Sequence, residues 1–297
     1  MKKIFCIGHA VYDITLPMEK FPNENSKNRV NFKIECGGGS ASNAAVLLSR
    51  WHNNTYFIGT IGDDYYGRII KKDFINNNVN VKYLSINKNV DTSTSYIIAS
   101  HNNGKRTILT YADPNLKSLI KNVREKPSVI MVDGNDYDIA IDILDKNKDA
   151  ISVIDAGSFK ENTVKLAHKV KYLVCSKDFA EGYTGIKINS KDLDSITEVY
   201  KLMEKDFHNI IVITLEGAGS FAKINEEYKL IPSIKVDVVD STGAGDIYHG
   251  AFTHFISHGY SLEDTMKYSN ITGALSLTQL GSRNSIPLLD EVLNYDK

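Results

Sequence analysis

The sequence predicts an α/β fold, a three-layer α/β/α sandwich around a mainly parallel sheet, with a small antiparallel β lid. Two observations carry this prediction. Short β-rich runs that lack polar alternation are separated by polar or helical stretches, as in a parallel sheet buried on both faces. Two further segments alternate polar and apolar residues, as half-exposed antiparallel strands do.

Strands and helices follow one another along the chain in the βαβα order. The predicted strands are KIFCIG (3–8), TYFIGTIG (55–62), SVIMVDG (128–134), ISVIDAG (151–157), YLVCS (172–176) and NIIVITLE (209–216). The predicted helices are ASNAAVLLSRW (41–51), GRIIKKDFINNN (67–78), YDIAIDILDKN (137–147), FKENTVKLAHKV (159–170) and SITEVYKLMEKDF (195–207). In the first of these helices, Ala44, Leu47, Leu48 and Trp51 recur at helical spacing after a serine-rich start.

The lid prediction rests on two segments that break this order. They are SKNRVNFKIECGGG (26–39) and TSTSYIIASHNNGKRTILTY (92–111), and the second has the pattern of a hairpin with its turn at HNNGK. No long linker borders either one. We therefore expect a single domain over residues 1–297, with the lid formed by insertions at roughly 12–36 and 92–112.

Composition excludes several classes of function. The chain has 35 basic and 36 acidic residues and a formal net charge of −1, which predicts no nucleic acid and no membrane as partner. No stretch approaches the roughly 20 apolar residues of a membrane helix. Its three cysteines, Cys6, Cys36 and Cys175, are few and far apart, which favours a cytoplasmic location over a disulfide-stabilised one.

Two glycine turns leave a structural and a functional interpretation open. GGGSASN (37–43) is either a plain turn before a helix or a set of backbone N–H groups that approach a polar ligand. In VVDSTGAGDIYHGAF (238–252) the glycines either turn a corner while Asp246 caps a helix, or they form an anion cradle with Asp246 as catalytic base.

Three weaker signals accompany these turns. Asp13 lies just past the first strand, where open α/β sheets bind ligands, although turn-forming aspartates are common. TLEGAG (214–219) could hold a nucleotide or could simply be a hairpin turn. His249 could be the partner of a base, but the sequence favours a packed or solvated residue one turn along a helix.

The chain resembles the ribokinase-like, or PfkB, carbohydrate kinases over nearly its whole length. The ordered motif DSTGAGD (240–246) resembles the C-terminal signature of that family, with Ser241 where threonine is usual. Gly38, Gly39 and Asn43 resemble its N-terminal glycine signature. IGDDYYG (61–67) and TQLGSRNSIP (278–287) resemble further stretches of it.

This resemblance implies ATP-dependent transfer of a phosphoryl group to a sugar hydroxyl. It implies that Asp246 is the general base and that Gly243, Ala244 and Gly245 form the anion hole. It also implies which residues bind the sugar, the nucleotide with its Mg²⁺, and K⁺. The residues are Asp13, Gly38, Gly39 and Asn43 for the sugar, Thr214, Gly217, Gly219 and Asn270 for ATP, and Asp240, Thr242, Gly281 and Ser285 for K⁺.

The chain also departs from the family pattern. Ser176 and Phe179 stand where many members have Asn-x-x-Glu, which puts the usual support for Mg²⁺ in doubt. The Ser-Lys-Asp there resembles ketohexokinase-like members, so a ketose is the expected acceptor and ribose is not favoured. A nucleoside kinase and a catalytically idle sugar-binding regulator remain alternatives. Apolar lid residues such as Phe32, Tyr96 and Ile98 predict a homodimer through the lids.

Overall fold

A computed structural model describes residues 2–100 and 106–295, so the predicted turn HNNGK (101–105) lies outside the described residues. The strands are β1 Lys3–Ile7, β2 Val11–Met18, β3 Ile34–Gly38, β4 Asn54–Gly62, β5 Asn80–Asn87, β6 Thr94–Ser100, β7 Arg106–Tyr111, β8 Val129–Val132, β9 Ile151–Ala156, β10 Tyr172–Ser176, β11 Ile210–Thr214, β12 Ser220–Ile224 and β13 Glu227–Ile231. The helices are α1 Ser40–Arg50, α2 Tyr65–Asn76, α3 Tyr137–Lys146, α4 Glu161–Ala167, α5 Lys177–Thr184, α6 Leu193–Asp206, α7 Ala244–Ser257, α8 Leu262–Ser276 and α9 Leu289–Leu293.

The main sheet confirms the predicted α/β class. Within the described residues it has nine strands in the order β13-β12-β11-β10-β9-β8-β1-β4-β5. Pairing is parallel from β11 to β5, and only β12 and β13 run antiparallel. One apolar core packs α3 to α6 against one face, and a second packs α1, α2, α7 and α8 against the other. The molecule therefore has the three layers that the uniformly apolar strands predict.

The predicted small sheet is separate from the main one. Its described strands have the order β3-β2-β6-β7, with antiparallel outer pairs and a parallel central pair, β2 with β6. Side chains alternate across β6 and β7: Ser95, Ile97, Arg106, Ile108 and Thr110 line a cavity. Tyr96, Leu109 and Tyr111 lie on the opposite face and are 45–60% exposed. The alternation in the sequence therefore reflects one covered face and one outer face.

Three local features differ from the sequence-based expectation. The chain leaves the main sheet after Ile7 and joins the small sheet at Val11, so the apolar N-terminal run forms two strands. The edge strand β5 was missed because it is only partly buried and lacks an apolar run. In the segment 26–39, only Ile34–Gly38 forms a strand. No helix in the described part of the chain is long and apolar enough to cross a membrane.

Candidate active site

A cavity of about 610 Å³ lies between the small sheet and the carboxyl ends of β1, β8 and β9. Carboxyl ends of parallel strands are the usual ligand-binding edge of an open α/β sheet. Six of the predicted site residues line this cavity, although they come from three separate parts of the chain. They are Asp13, Gly39, Asn43, Thr242, Gly243 and Asp246.

The predicted base and one predicted sugar ligand are in direct contact. Asp246 is the third residue of α7, and its Oδ2 accepts a hydrogen bond of 2.8 Å from Nδ2 of Asn43, in α1. Asn43 is 1% exposed. Packing of α1 against α7 makes this contact across 203 residues of sequence. Asp246 is thus held by a neutral donor at the cavity, and a carboxylate so placed is able to accept a proton.

The carboxylates around the cavity repel one another and are poorly solvated. Burial raises the pKa of Asp246, while hydrogen bonds from Asn43 and Ser40 oppose that rise. Burial and the nearby Asp246 raise the pKa of Asp13 to about 7. Burial also raises the pKa of Asp155 to about 7. These shifts are of the kind found where groups are set to exchange protons near neutral pH.

The glycine turn before α7 has the geometry of an anion site. Gly243 is the N-cap residue with φ 78°, and Ala244 and Gly245 begin the helix, where backbone N–H groups lack intrahelical partners. A Cβ at Gly245 would have no heavy atom within 4 Å, so its backbone faces open space. A Cβ at Gly243 would lie 2.5 Å from Cβ of Ser282. The turn therefore requires a glycine at position 243 and leaves room for a ligand at position 245.

Positions 38 and 39 have no room for a side chain. A Cβ at Gly38 would overlap the Asp13 carboxylate, and one at Gly39 would overlap the carbonyl oxygen of His9. Gly39 also has φ 95° and precedes the first residue of α1. Gly39 lines the cavity, whereas Gly38 acts by leaving space for the Asp13 side chain.

The predicted cation ligands form a cluster at the edge of the cavity, and of the four only Thr242 lines it. Oδ1 of Asp240 accepts from the backbone N–H of Thr242 at 2.9 Å, and its Oδ2 accepts from that of Gly281 at 2.9 Å. The backbone N–H of Ser285 donates to the carbonyl of Gly281 at 3.1 Å. Oγ1 of Thr242 is buried without a hydrogen-bond partner in the described structure. An unpaired buried oxygen beside a carboxylate fits a hard monovalent cation.

The predicted nucleotide residues lie outside the cavity, at the end of β11 and on α8. Gly217 is in a short 3₁₀ turn, and a Cβ there would meet nothing within 4 Å. Gly219 has φ 109°, and a Cβ there would overlap the carbonyl of Ile231. Thr214 donates to the carbonyl of Cys175 at 3.3 Å, and Asn270 donates to that of Ile231 at 2.9 Å. Gly217 leaves a place for a ligand, while the other three are engaged with backbone.

Two aspartates that sequence reasoning missed lie at the carboxyl ends of buried strands of the main sheet, the edge for which Asp13 was selected. Asp13 itself lies in β2 of the small sheet. Asp133, after β8, accepts from the backbone N–H groups of His9 and Ala41 at 2.9 and 3.1 Å, and so anchors the start of α1. Asp155, in β9, lies 3.2 Å from Nδ1 of His249. The rule that selected Asp13 would have found both. His249 is 2% exposed and does not line the cavity, in keeping with its predicted packing role.

Two cationic side chains of the cavity were also missed. Arg106 comes from β7 of the small sheet and donates at 2.6 Å to both the carbonyl and Oγ of Ser241, next to the glycine turn. Lys160 lies just before α4. Neither could be selected from the sequence, because single cations in polar segments are common.

At the position of the missing Asn-x-x-Glu, Oγ of Ser176 accepts from the backbone N–H of Phe179 at 3.0 Å and caps α5.

The fold and the cavity define an α/β protein with a small-molecule site at the carboxyl edge of its parallel sheet. The chain matches the model of the pfkB family of carbohydrate kinases over residues 1–289, and it belongs to that family. The resemblance carried by the two glycine motifs is thereby confirmed.

Individual relatives are distant, and the three described here match nearly the whole chain. A bifunctional ribokinase/ribose-5-phosphate isomerase A of Fructilactobacillus sanfranciscensis is 25% identical over 99% of this chain, which spans 56% of that protein. A nucleoside kinase of Methanocaldococcus jannaschii is 22% identical over 99% of this chain and 96% of its own length. The structure of Arabidopsis thaliana ribokinase complexed with ribose and ATP has a TM-score of 0.83 at 20% identity, covering 98% of this chain and 97% of that one.

Proposed function

We propose that this protein transfers the γ-phosphoryl group of ATP to a hydroxyl of a sugar, with Asp246 as general base. The observation that carries the proposal is the contact of Asp246 with Asn43 inside the cavity, directly after the Gly243 turn. A carboxylate at the start of a helix, beside free backbone N–H groups, places a proton acceptor next to a site for phosphate oxygens.

In the proposed step, the acceptor hydroxyl oxygen attacks the γ-phosphorus and the bond to the β-phosphate oxygen breaks. Asp246 takes the hydroxyl proton, and ADP leaves with the electron pair of the broken bond. The N–H groups of Gly243, Ala244 and Gly245 stabilise the charge on the phosphoryl oxygens. Asp13, Gly39 and Asn43 hold the sugar, and Gly38 leaves room for Asp13. Mg²⁺, bound with ATP, would neutralise phosphate charge.

We propose that the nucleotide binds beside the carboxyl end of β11. Gly217 offers an open turn, and Thr214 and Gly219 lie at the same carboxyl edge of the sheet as the cavity. Asn270 is pinned to β13, so we propose that it shapes the pocket wall and does not turn toward the base. The structurally similar Arabidopsis ribokinase was solved in complex with ATP, which supports ATP as the phosphoryl donor.

A ketose or a modified ketohexose is the proposed acceptor, because Ser176-Lys177-Asp178 resembles ketohexokinase-like members. The test is ADP release by the purified protein with ketoses, ribose and other aldoses, and nucleosides. Turnover highest with a ketose supports the proposal, and turnover highest with a nucleoside supports the alternative suggested by the nucleoside kinase relative. Sugar binding without ADP release would instead identify a non-catalytic regulator.

We also propose a cytoplasmic location, consistent with three free cysteines.

Potassium is expected to raise the rate. The buried, unpaired Oγ1 of Thr242 beside Asp240 motivates this prediction, since a cation there would fix the loop before the glycine turn. Replacing K⁺ by Na⁺ or by a bulky organic cation at constant ionic strength should lower kcat with little change in the KM for sugar. Equal rates in all three salts would contradict the cation site.

Activity is expected to fall in mild acid. A base has to be ionised to accept a proton, and the raised pKa of Asp246 keeps it protonated at pH values where an ordinary aspartate, of pKa about 3.9, is ionised. As pH falls, kcat/KM should therefore decline at a higher pH than the ionisation of an ordinary aspartate would give. A pH profile of kcat/KM checks this expectation, and a profile that stays flat down to about pH 4.5 would count against it.

The lids are expected to join two copies and to close over the sugar. The outer face of the small sheet exposes Tyr96, Leu109 and Tyr111, a contiguous apolar surface across β6 and β7. Light scattering should give about twice the chain mass of 33.1 kDa, and Leu109→Glu should reduce the measured mass to that of one chain.

Closure of the lid over the sugar should slow amide hydrogen exchange in β7 when sugar is bound. A monomer whose β7 exchanges equally fast with and without sugar would contradict both expectations.

A further inference from the structure

Arg283 is a buried cation that joins the C-terminal loop to the sugar site. It lies between α8 and α9 and is 2% exposed. Its guanidinium donates to Oδ1 of Asn43 at 3.2 Å, to Oγ of Ser42, and to the carboxylate of Asp73 in α2. The group also lies over the ring of Phe74, with 5.2 Å to its centroid. Every edge of the guanidinium is therefore fixed by α1 or α2.

The surroundings hold Arg283 in this one place. A Cβ at Gly37 would overlap the guanidinium, so the first glycine of the 37–39 turn leaves space for it. On the backbone side, Nη1 of Arg50 donates to the carbonyl of Arg283 at 2.5 Å. Arg50 also donates to Asn77 at 2.7 Å, and within the described residues it makes no hydrogen bond to Asn43. The loop position and the side-chain position of Arg283 are thus held by separate contacts.

The contact with Arg283 decides how the Asn43 amide is oriented. An arginine side chain has only hydrogen-bond donors, so it can pair with the oxygen of the amide but not with its nitrogen. With Oδ1 turned to Arg283 Nε, Nδ2 is left to donate to Asp246. A flipped amide would set donor against donor at Arg283 and oxygen against oxygen at Asp246.

We propose that Arg283 is a positioning residue that locks the Asn43 amide with its N–H₂ group toward Asp246 and the sugar. The functional meaning of the lock rests on the proposed role of Asp246 as base. Because Arg283 stands between Gly281 and Ser285, the same loop that would hold K⁺ also carries this lock. A change in the position of this loop would therefore move Arg283 and alter the hydrogen bond between Asn43 and Asp246.

The test is the pKa of the Asp246 carboxyl, measured by ¹³C NMR in protein labelled at aspartate Cγ. The Asp246 signal is assigned by its loss in Asp246→Asn. Arg283→Met should raise this pKa, because the freed amide no longer presents a constant donor to Asp246. Arg283→Lys keeps the charge but not the fork of donors, so it should shift the pKa in the same direction.

The double variant separates positioning from simple charge loss. Asn43→Ala should raise the Asp246 pKa by itself, and adding Arg283→Met should change it little further, because the lock then has nothing to hold. Asp13, Asp155, His249 and Arg106, which also influence or are influenced by Asp246, stay in place in every variant. Equal shifts from Arg283→Met with and without Asn43 would mean a plain electrostatic effect and would overturn the proposal.

Arg50→Met is the matched control, because it removes a cation that holds the same loop without touching Asn43. It should leave the Asp246 pKa unchanged, and melting temperatures show whether each variant folds. In turnover, Arg283→Lys should raise the KM for sugar and move the acid limb of kcat/KM upward, with the KM for ATP unchanged. The NMR titration needs no substrate, so an unshifted pKa refutes the lock even if the protein is a kinase. Full turnover by Asp246→Asn would refute the proposed function alone.

Discussion

Asp246→Asn is expected to lower kcat by about 10²–10⁴-fold, the usual contribution of a general base. The amide has nearly the same shape as the carboxylate but cannot accept the hydroxyl proton at neutral pH. Affinity for ATP should stay close to that of the unsubstituted protein, because the predicted nucleotide residues lie outside the cavity that contains Asp246. ADP release with the best acceptor, and equilibrium binding of ATP, check the two parts.

Asp264→Asn is the matched control for a helix-capping role of Asp246. Asp264 is the third residue of α8, as Asp246 is of α7, and it does not line the cavity. Both substitutions weaken the favourable interaction of a carboxylate with a helix N-terminus, which is worth about 0.3–1 kcal/mol at an exposed site. If Asp246→Asn and Asp264→Asn had equal kcat, the role of Asp246 would be limited to capping α7.

Gly243→Ala is expected to lower kcat by about 10²–10³-fold, the effect of losing one donor from an oxyanion hole. Alanine disfavours φ 78°, and its Cβ would lie 2.5 Å from Cβ of Ser282. The turn would have to shift, which would move the N–H groups of Ala244 and Gly245 away from the phosphoryl oxygens. Steady-state kinetics should show the loss in kcat and a smaller change in the KM for sugar.

Gly185→Ala is the control that separates backbone strain from the loss of the anion site. Gly185 has φ 73°, close to the value at Gly243, but a Cβ there would meet nothing within 4 Å. It ends α5 and lies outside the cavity. Both variants should lose about 1–2 kcal/mol of stability from the left-handed backbone. Gly243→Ala should lose more because of the overlap with Ser282, and only Gly243→Ala should lose turnover. A similar loss of kcat in both would attribute the effect to folding.

The mainly parallel class of the main sheet was predictable because strands buried on both faces have to be apolar throughout. The edge strand β5 was not predictable from the sequence. It is partly exposed, and its polar and apolar residues follow no single period. The sequence also did not predict that the chain leaves the main sheet after Ile7. An apolar run looks the same whether it continues one strand or crosses to a second sheet, and the crossing depends on contacts such as that of His9 with Asp133.

By itself, the sequence determined the fold class, the family and the two glycine turns, because burial periodicity and backbone sterics act over a few neighbouring residues. It also singled out Asp246 as the candidate base. Only the tertiary structure brought Asp246 to Asn43, Arg106 to Ser241 and Arg283 to Asn43. Each of these contacts joins residues more than 130 positions apart, and a hydrogen bond between distant residues leaves no periodic pattern in the sequence. Such contacts are set by helix and sheet packing, which exists only once the chain has folded.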